Sequence, residues 1–494
     1  MSKIDIATLL APKATDVSYV SPDELIISLI CRTDSYKFGH PFAYPEKVKG
    51  MSAYGEARVP STSVIVPFGM QIYLKKFFTR RITMADIDAA EQFAIGHFGR
   101  PLFARKDWEK VVTQYDGFLP LSIRSVPDGT PVPGGMPLYS SACLDEDLAW
   151  MASGIETSLL RGNWYGTTIA TMDRDIKKEI KRYFDISGAD LGLLPFSLHD
   201  FGGRGVTCGE QAEIGGAAHL VNFMGSDTVE GVLAANFFYK HTMAAFSVAA
   251  TEHSIECSFG LDNEGEREYL IHVLTKLAAP GSIVSIVIDG KDVFRCAKTL
   301  CEDPEIKALI IKHGESGGKV VFRPDSGDML ETIPAILKLQ EAAFGSVTNS
   351  KGYRKISYVG IIQGDGIDRQ GMAIKAVYGK ILSMGFSADN VIFGSGGGLL
   401  QGVTRDTLKF AQKASAILVD GEWVGIAKDP VTDPGKKSKE GVMTLARSKT
   451  TGAYVAARLD QAWDEDLEDV HVLVYHTGML YNETTLDEVR MRAE

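Results

Sequence analysis

Between about residues 195 and 400 the chain repeats one phrase. A short apolar run ends in a polar, often glycine-bearing string, and a stretch with helical spacing follows. The apolar runs are 195–198, 219–223, 245–250, 282–288, 319–322, 358–362 and 391–393, and the strings after them are HDFGGRG, GSDT, TEHS, DGKD, RPDSGD, QGDGID and GSGGG. Successive repeats lie roughly 25–40 residues apart, the size of a strand–helix–strand unit. β-branched runs with little alternation suit parallel strands buried on both faces. Between them, 264–278 and 332–344 carry apolar residues at helical spacing. This rhythm predicts an α/β fold with an irregular (β/α) barrel of about seven to eight parallel strands; a doubly wound sheet is the alternative. Every polar string follows its strand, so a barrel would gather them all at its C-terminal mouth, where barrel active sites are built. A doubly wound sheet would concentrate ligand residues at one switch point.

The flanks lack the rhythm. Residues 34–60 are aromatic and basic, 68–98 read as helical, and 121–137 read as β structure rich in Pro and Gly. Residues 416–427 are strand-like, a basic loop covers 428–441, and more strands are expected to the end. A length of 494 residues suits two or three domains. The expected division is a mixed α+β domain built from both termini (1–180 and 409–494) beside a catalytic barrel (181–408).

Composition narrows the partners. Lys plus Arg number 52 against 63 Asp plus Glu, a net charge of −11. That balance argues against a protein that coats nucleic acid, while leaving room for a local phosphate site. No apolar run approaches the ~18–20 residues of a membrane helix. The start, MSKIDIATLLAPKATD, lacks the continuous apolar stretch of a signal peptide. Six scattered Cys with no Cys-x-x-Cys pair read as reduced thiols in a cytoplasmic protein. No His/Cys cluster has metal-ligand spacing, so a structural zinc is not expected.

The strings carry the chemistry. In GSGGG, Gly396 and Gly397 let backbone N–H groups converge on a phosphate; the same string also reads as a tight turn. Leu399 stands where a dinucleotide fingerprint needs its third Gly. Arg405 and Lys413 are expected on the next helix, facing the same anion. Arg323 of RPDSGD can grip a phosphate with both arms of its guanidinium, and Asp325 can accept from sugar hydroxyls, unless the two form only a structural ion pair. QGDGID repeats the idea with Gly364 and Asp365. Phe201 offers a flat face to a planar ring and Arg204 a cation, although Phe201 also suits core packing. The Asp-Phe-Gly there is not a kinase site, because no His-Arg-Asp loop precedes it. His253 of TEHS is either a satisfied structural residue or a phosphate acceptor or base. In GSDT, either Ser226 or Asp227 starts a helix as its N-cap, or Asp227 points into a pocket and accepts from an amide. Lys428, Lys436, Lys437 and Lys439 form either a solvated loop or a lid over phosphates.

These strings in this order, with DSYK (34–37), HLVNFMGSDTVEG (219–231), NSKGY (349–353), TRD (404–406) and KDPVTDP (428–434), resemble the nicotinate/nicotinamide phosphoribosyltransferase family, and within it the nicotinamide phosphoribosyltransferases. The resemblance runs from about residue 30 to the C-terminus. It implies attack of nicotinamide on phosphoribosyl pyrophosphate (PRPP), giving nicotinamide mononucleotide and pyrophosphate in NAD salvage. Magnesium (Mg2+) accompanies the pyrophosphate, and ATP is a co-substrate coupled through a phosphorylated histidine. It also implies a homodimer with shared active sites. Carried over residue by residue, Phe201 and the other subunit's Tyr36 sandwich the pyridine and Asp227 holds the carboxamide. Asp325 with Gly364 and Asp365 holds the ribose hydroxyls. Arg58, Gly396, Gly397, Arg405 and Lys413 bind the 5′-phosphate. Arg204, Arg323 and the phosphorylated His253 face the pyrophosphate, with Asp289 beside His253. Lys428 and Lys436 match residues of the family's basic loop. The chain departs from the pattern at Gly203, where an aromatic is expected, at Ala249 for a proline, and at Gly290-Lys291 for Ser-Tyr. A nicotinate phosphoribosyltransferase and a non-catalytic nucleotide-binding protein are the alternatives.

Overall fold

The computed structural model describes residues 24–432 and 437–494. Two seven-stranded sheets organise it. The parallel sheet is built from the strands Leu198–Asp200, Gly225–Ser226, Ala249–Ala250, Ile283–Val287, Lys319–Arg323, Val359–Gln363 and Val391–Ser395. Its order is cyclic. The first strand pairs with the second and also with the last, Phe393 opposite Leu198. Between the second and third strands a single parallel bridge joins Gly225 to Phe246. A curled sheet whose strands follow chain order is an irregular barrel, and the doubly wound alternative fails on that order.

The expected strands over 282–288, 319–322, 358–362 and 391–393 are strands. The run 219–223 is not. It closes the helix Gly209–His219 and the turn after it, and the strand is the two-residue Gly225–Ser226. Small residues bring that helix onto its neighbour Val229–Phe238: a Cβ on Gly216 would stand 2.8 Å from the Cα of Gly231. His219 is fully buried at the helix end, 2.7 Å from Asp173 through Nδ1 and 3.2 Å from the Gly225 carbonyl through Nε2. The run is apolar because it is a buried helix end, and apolarity alone does not separate that from a buried strand. Pro195 likewise lies in a 3₁₀ turn before its strand, and only Ala249–Ala250 of 245–250 is extended. The helix over 332–344 runs Met329–Phe344, with Pro334 in its second turn.

The second sheet is antiparallel and joins the flanks. The strand Gly50–Ala57 lies between Pro137–Cys143 and Phe410–Val419, so residues nearly 360 apart in sequence become neighbours: Tyr54 pairs with Lys413. The 68–98 stretch is broken into a short helix with a wider π-type turn, Met70–Phe78, and the helix Met84–Phe98. The break falls at Thr83, whose hydroxyl accepts the Asp86 N–H while Asp86 accepts the Thr83 N–H, a capping box. The chain ends in a helix rather than a strand, Leu486–Ala493, capped in the same way by Thr485 and Glu488. The 32-residue helix Glu156–Ser187 ties the two sheets together. Thr167 and Thr171 on it accept the N–H groups of Phe68 and Val66, and Tyr165 donates 2.8 Å to the Leu400 carbonyl behind the glycine-rich string. No helix among the described residues is long and apolar enough to cross a membrane.

Candidate active site

At one side of the barrel mouth, strand pairing places a flat ring beside an acid. Phe201 leaves the first strand with its N–H donating to the Ser395 carbonyl at 2.9 Å. Its ring lies over Gly394, where a Cβ would be 2.1 Å from Cε2 of the ring. Only glycine leaves that space. His199, two residues earlier and so on the same face of the strand, stands 4.7 Å from Phe201 ring to ring. Its Nε2 is 3.0 Å from Oδ1 of Asp227, and the Ser247 hydroxyl donates to the same oxygen. Burial opposes ionisation of Asp227, but the His199 and Ser247 hydrogen bonds outweigh it and hold the carboxyl below the usual carboxylate range. Neither Ser226 nor Asp227 is the N-cap of the helix Val229–Phe238; Thr228 is, and Asp227 is left facing the mouth. Its side chain is 43% exposed, enough to meet a ligand.

Across the mouth, His253 opens the helix His253–Ser258, with Nε2 3.0 Å from Oδ1 of Asp289. Asp289 is buried, and its Oδ2 accepts from the Asp325 N–H at 3.2 Å and from the Ser326 hydroxyl at 2.5 Å. One carboxylate thus fixes a histidine and the loop of another acid. Arg323 donates from Nη2 to the Thr251 carbonyl at 2.7 Å, and its buried Nε has no partner among the described residues. Asp325 presses on Gly364, where a Cβ would be 2.3 Å from Oδ1. Asp365 beyond it is exposed.

The third part is a cavity of about 240 Å³ lined by Arg58, Glu156, Arg405, Ala411, Lys413 and Lys428. The expectation of Arg405 and Lys413 on one helix is corrected here. The helix Gly397–Gln401 is only five residues long, Arg405 follows it in a turn, and Lys413 is on the strand Phe410–Val419. The Gly50–Ala57 strand delivers Arg58 beside Lys409, to whose carbonyl its N–H donates. Burial and then the crowd of Arg58, Lys428 and Arg405 lower the Lys413 ammonium, with Glu156 opposing. Glu156 is itself paired with Lys37 at 2.8 Å. Among the described residues, Arg58, Lys413 and Lys428 have no carboxylate at ion-pair distance, while Arg405 reaches only the exposed Asp406 at 3.5 Å. Cations gathered around a single acid that Lys37 already holds make a cavity suited to an anion.

The glycine loops form the floor between these parts. A Cβ on Gly205 would stand 2.5 Å from the Cα of Gly397, so the GGRG and GSGGG strings touch, while Gly396 has open space around it. Arg204 is exposed on that floor. Tyr36 does not join the site within one chain: it is 60% exposed and its ring meets His40 at 5.1 Å. Lys436 lies outside the described residues. Lys428 stands at the base of its loop, which is pinned by reciprocal hydrogen bonds between Lys428 and Ser438. Sequence reasoning passed over His199, Ser247 and Ser326. His199 was legible through its two-residue spacing from Phe201; the other two arrive from separate loops and leave no local signal.

Fold and site define a barrel protein with a cluster of cations beside its C-terminal mouth, the region where barrels bind phosphates after their late strands. Comparisons with known proteins narrow the class. The model of the nicotinate phosphoribosyltransferase (NAPRTase) family matches residues 196–467, and that of the nicotinamide phosphoribosyltransferase N-terminal domain matches residues 28–123. A nicotinamide phosphoribosyltransferase of Xanthomonas campestris pv. campestris is 41% identical over 470 residues, covering 94% of this chain and 98% of that protein. One from Acinetobacter baylyi is 30% identical, covering 93% and 95%. Crystal structures of nicotinate-nucleotide pyrophosphorylase from Pyrococcus furiosus (TM-score 0.59, 15% identity, covering 97% of each chain) and human nicotinic acid phosphoribosyltransferase (TM-score 0.55, 17% identity, covering 93% of this chain and 92% of that one) share the fold. The chain belongs to the nicotinate phosphoribosyltransferase family and is a phosphoribosyltransferase enzyme.

Proposed function

We propose that the protein transfers the phosphoribosyl group of PRPP to nicotinamide in NAD salvage, giving nicotinamide mononucleotide and pyrophosphate. The observation that carries this reading is Asp227, an acid kept ionised by His199 and Ser247 beside the exposed flank of Phe201. A carboxylate there accepts from a carboxamide N–H and repels the carboxylate of nicotinate. The names of the two bacterial relatives agree.

The pyridine nitrogen of nicotinamide is a free electron pair, so no base is needed. It attacks C1′ of the ribose as the bond to the pyrophosphate oxygen breaks. Negative charge grows on the leaving group, and fixed cations lower that barrier most. In this reading Arg323 and Arg204 face the pyrophosphate, and magnesium arrives on the diphosphate as part of the substrate. Asp325 and Asp365, with backbone at Gly364, hold the ribose hydroxyls. The 5′-phosphate fills the cavity of Arg58, Arg405 and Lys413 above Gly396 and Gly397, with Lys428 at its rim. Holding both substrates in line supplies much of the remaining acceleration.

ATP enters through His253. With Nε2 donating to Asp289, the lone pair is on Nδ1, which takes the γ-phosphoryl group as ADP leaves. The working unit is a homodimer in which the partner's Tyr36 closes on the pyridine opposite Phe201. The helix Val229–Phe238 supports this, because Val229, Leu233 and Phe237 expose an apolar stripe (62%, 60% and 77%) next to Asp227 in sequence.

The test is mononucleotide formation by the purified protein from PRPP and magnesium, with nicotinamide and nicotinate in parallel, with and without ATP. The expected product comes from nicotinamide, and ATP raises its yield. In His253→Ala the synthesis persists and the ATP effect is lost. Faster turnover of nicotinate would overturn the base assignment, and no turnover of either base would favour a nucleotide-binding role.

A further inference from the structure

Behind the His253–Asp289 pair lies an acid that the proposed chemistry does not use. Glu256 is one turn beyond His253 on the helix His253–Ser258 and is 2% exposed. Its Oε2 is buried without a hydrogen-bond partner among the described residues. The backbone N–H of Gly290, the residue directly after Asp289, faces its carboxyl and favours the ionised form. A Cβ at position 290 would lie 2.5 Å from both Cδ and Oε2 of Glu256, so the acid fills the volume a side chain at 290 would take. The groups facing it are His253, Asp289 and, from the helix Asn263–Lys276, Glu266 and Tyr269; Cys296 faces it from the helix Val293–Glu302. Glu266 is already paired with Arg295 at 2.8 Å. Burial pushes the Glu256 carboxyl up to about 7, with Asp289 and Glu266 adding to it and the Gly290 N–H and His253 opposing.

We propose that Glu256 is a positioning residue for the His253–Asp289 pair, bracing the Asp289–Gly290 turn from behind and governing how reactive the imidazole is. This rests on the reading of His253 as the phosphate acceptor. Neutral Glu256 only braces the turn. Once ionised, it adds negative charge behind the ring, which favours the imidazolium and withholds the Nδ1 lone pair. The device makes the nucleophile answer to pH around neutrality through a residue that touches no substrate.

The test follows the rate at which diethyl pyrocarbonate modifies His253, quantified on its peptide by mass, from pH 5.5 to 8.5 in wild type, Glu256→Gln and Gly290→Ala. Glutamine keeps the volume and cannot ionise. Alanine at 290 keeps the acid but displaces it. The expected result is faster modification in Glu256→Gln, by about two- to threefold with the gap widest near pH 7, and a departure from the wild-type curve in Gly290→Ala as well. Superimposable curves for the three proteins, each folded by circular dichroism, would overturn the proposal. ATP stimulation of synthesis, measured on the same samples, separates it from the reading it rests on. Divergent modification curves with no ATP effect even in wild type would support the positioning role and contradict phosphorylation of His253.

Discussion

The two ends of the site are built on opposite electrostatic plans. At the barrel mouth, several charged groups are already held by neighbouring side chains or backbone. Asp227 is held by His199 and Ser247, Asp289 by His253 and Ser326, and Arg323 reaches a backbone carbonyl. In the cavity of Arg58, Arg405, Lys413 and Lys428, cations face each other, with one acid present that Lys37 already holds. The first plan fixes geometry before a ligand arrives, as discrimination between an amide and an acid requires. The second leaves repulsion that a bound anion would relieve. The plans also differ in origin. The mouth is made by loops of one barrel, whereas the cavity needs the N-terminal Gly50–Ala57 strand, the turn at Arg405 and the C-terminal strand bearing Lys413.

Breaking the cation plan has the largest expected effect. Arg405→Ala combined with Lys413→Ala raises the KM for PRPP by about 100-fold or more, since each charged hydrogen bond is worth about 1.5–3 kcal/mol. Steady-state kinetics check it, with the nicotinamide KM changed far less. A comparable loss for both substrates would deny the division into two ends. Next comes Gly394→Ala, whose added methyl overlaps the Phe201 ring. It raises the nicotinamide KM by about tenfold, the cost of displacing one stacking face, while the PRPP KM stays near wild type.

The smallest effect sharpens the mouth's internal balance. In the folded protein Glu256 titrates near 7 rather than at its ordinary 4.5, chiefly through burial. A carboxyl raised on folding binds its proton more tightly in the native state, so its contribution to stability falls as pH rises from 4.5 to 7. Glu256→Gln does not titrate. Its stability therefore gains on wild type across that window and holds the gain above it, by about 1–3 kcal/mol at pH 8, read as a higher melting temperature. Parallel melting curves from pH 5 to 8 would contradict the assignment.

Much of the barrel was legible because four of its strands combine a β-branched run with an abrupt glycine or aspartate stop. The run at 219–223 misled because a buried helix end is as apolar as a buried strand, and nothing local marks the Asp173–His219 contact that buries it. For the site, residue types at strand ends pointed to Phe201, Asp227, His253 and Arg323 as candidates, while Asp289 came only through the family resemblance. Lys413 was expected on a helix and lies on a strand, since that 10-residue strand owes its place to pairing with residues 50–57. His199 and Ser247 escaped notice because their part is to hold Asp227, which is visible only when three loops meet. Glu256 escaped for the same reason. Its sequence neighbours suggest a helix surface, and only the bare backbone at Gly290 reveals the space it fills.

The central claim is that a prepaired carboxylate selects the amide over the acid. The most direct measurement is the ratio of kcat/KM for nicotinamide to that for nicotinate in wild type and Asp227→Asn, at saturating PRPP. The account predicts that asparagine, neutral and of the same shape, lowers that ratio by about 10- to 100-fold, with nicotinate turnover rising in absolute terms. An unchanged ratio in a folded, active variant would contradict it and remove Asp227 from substrate recognition.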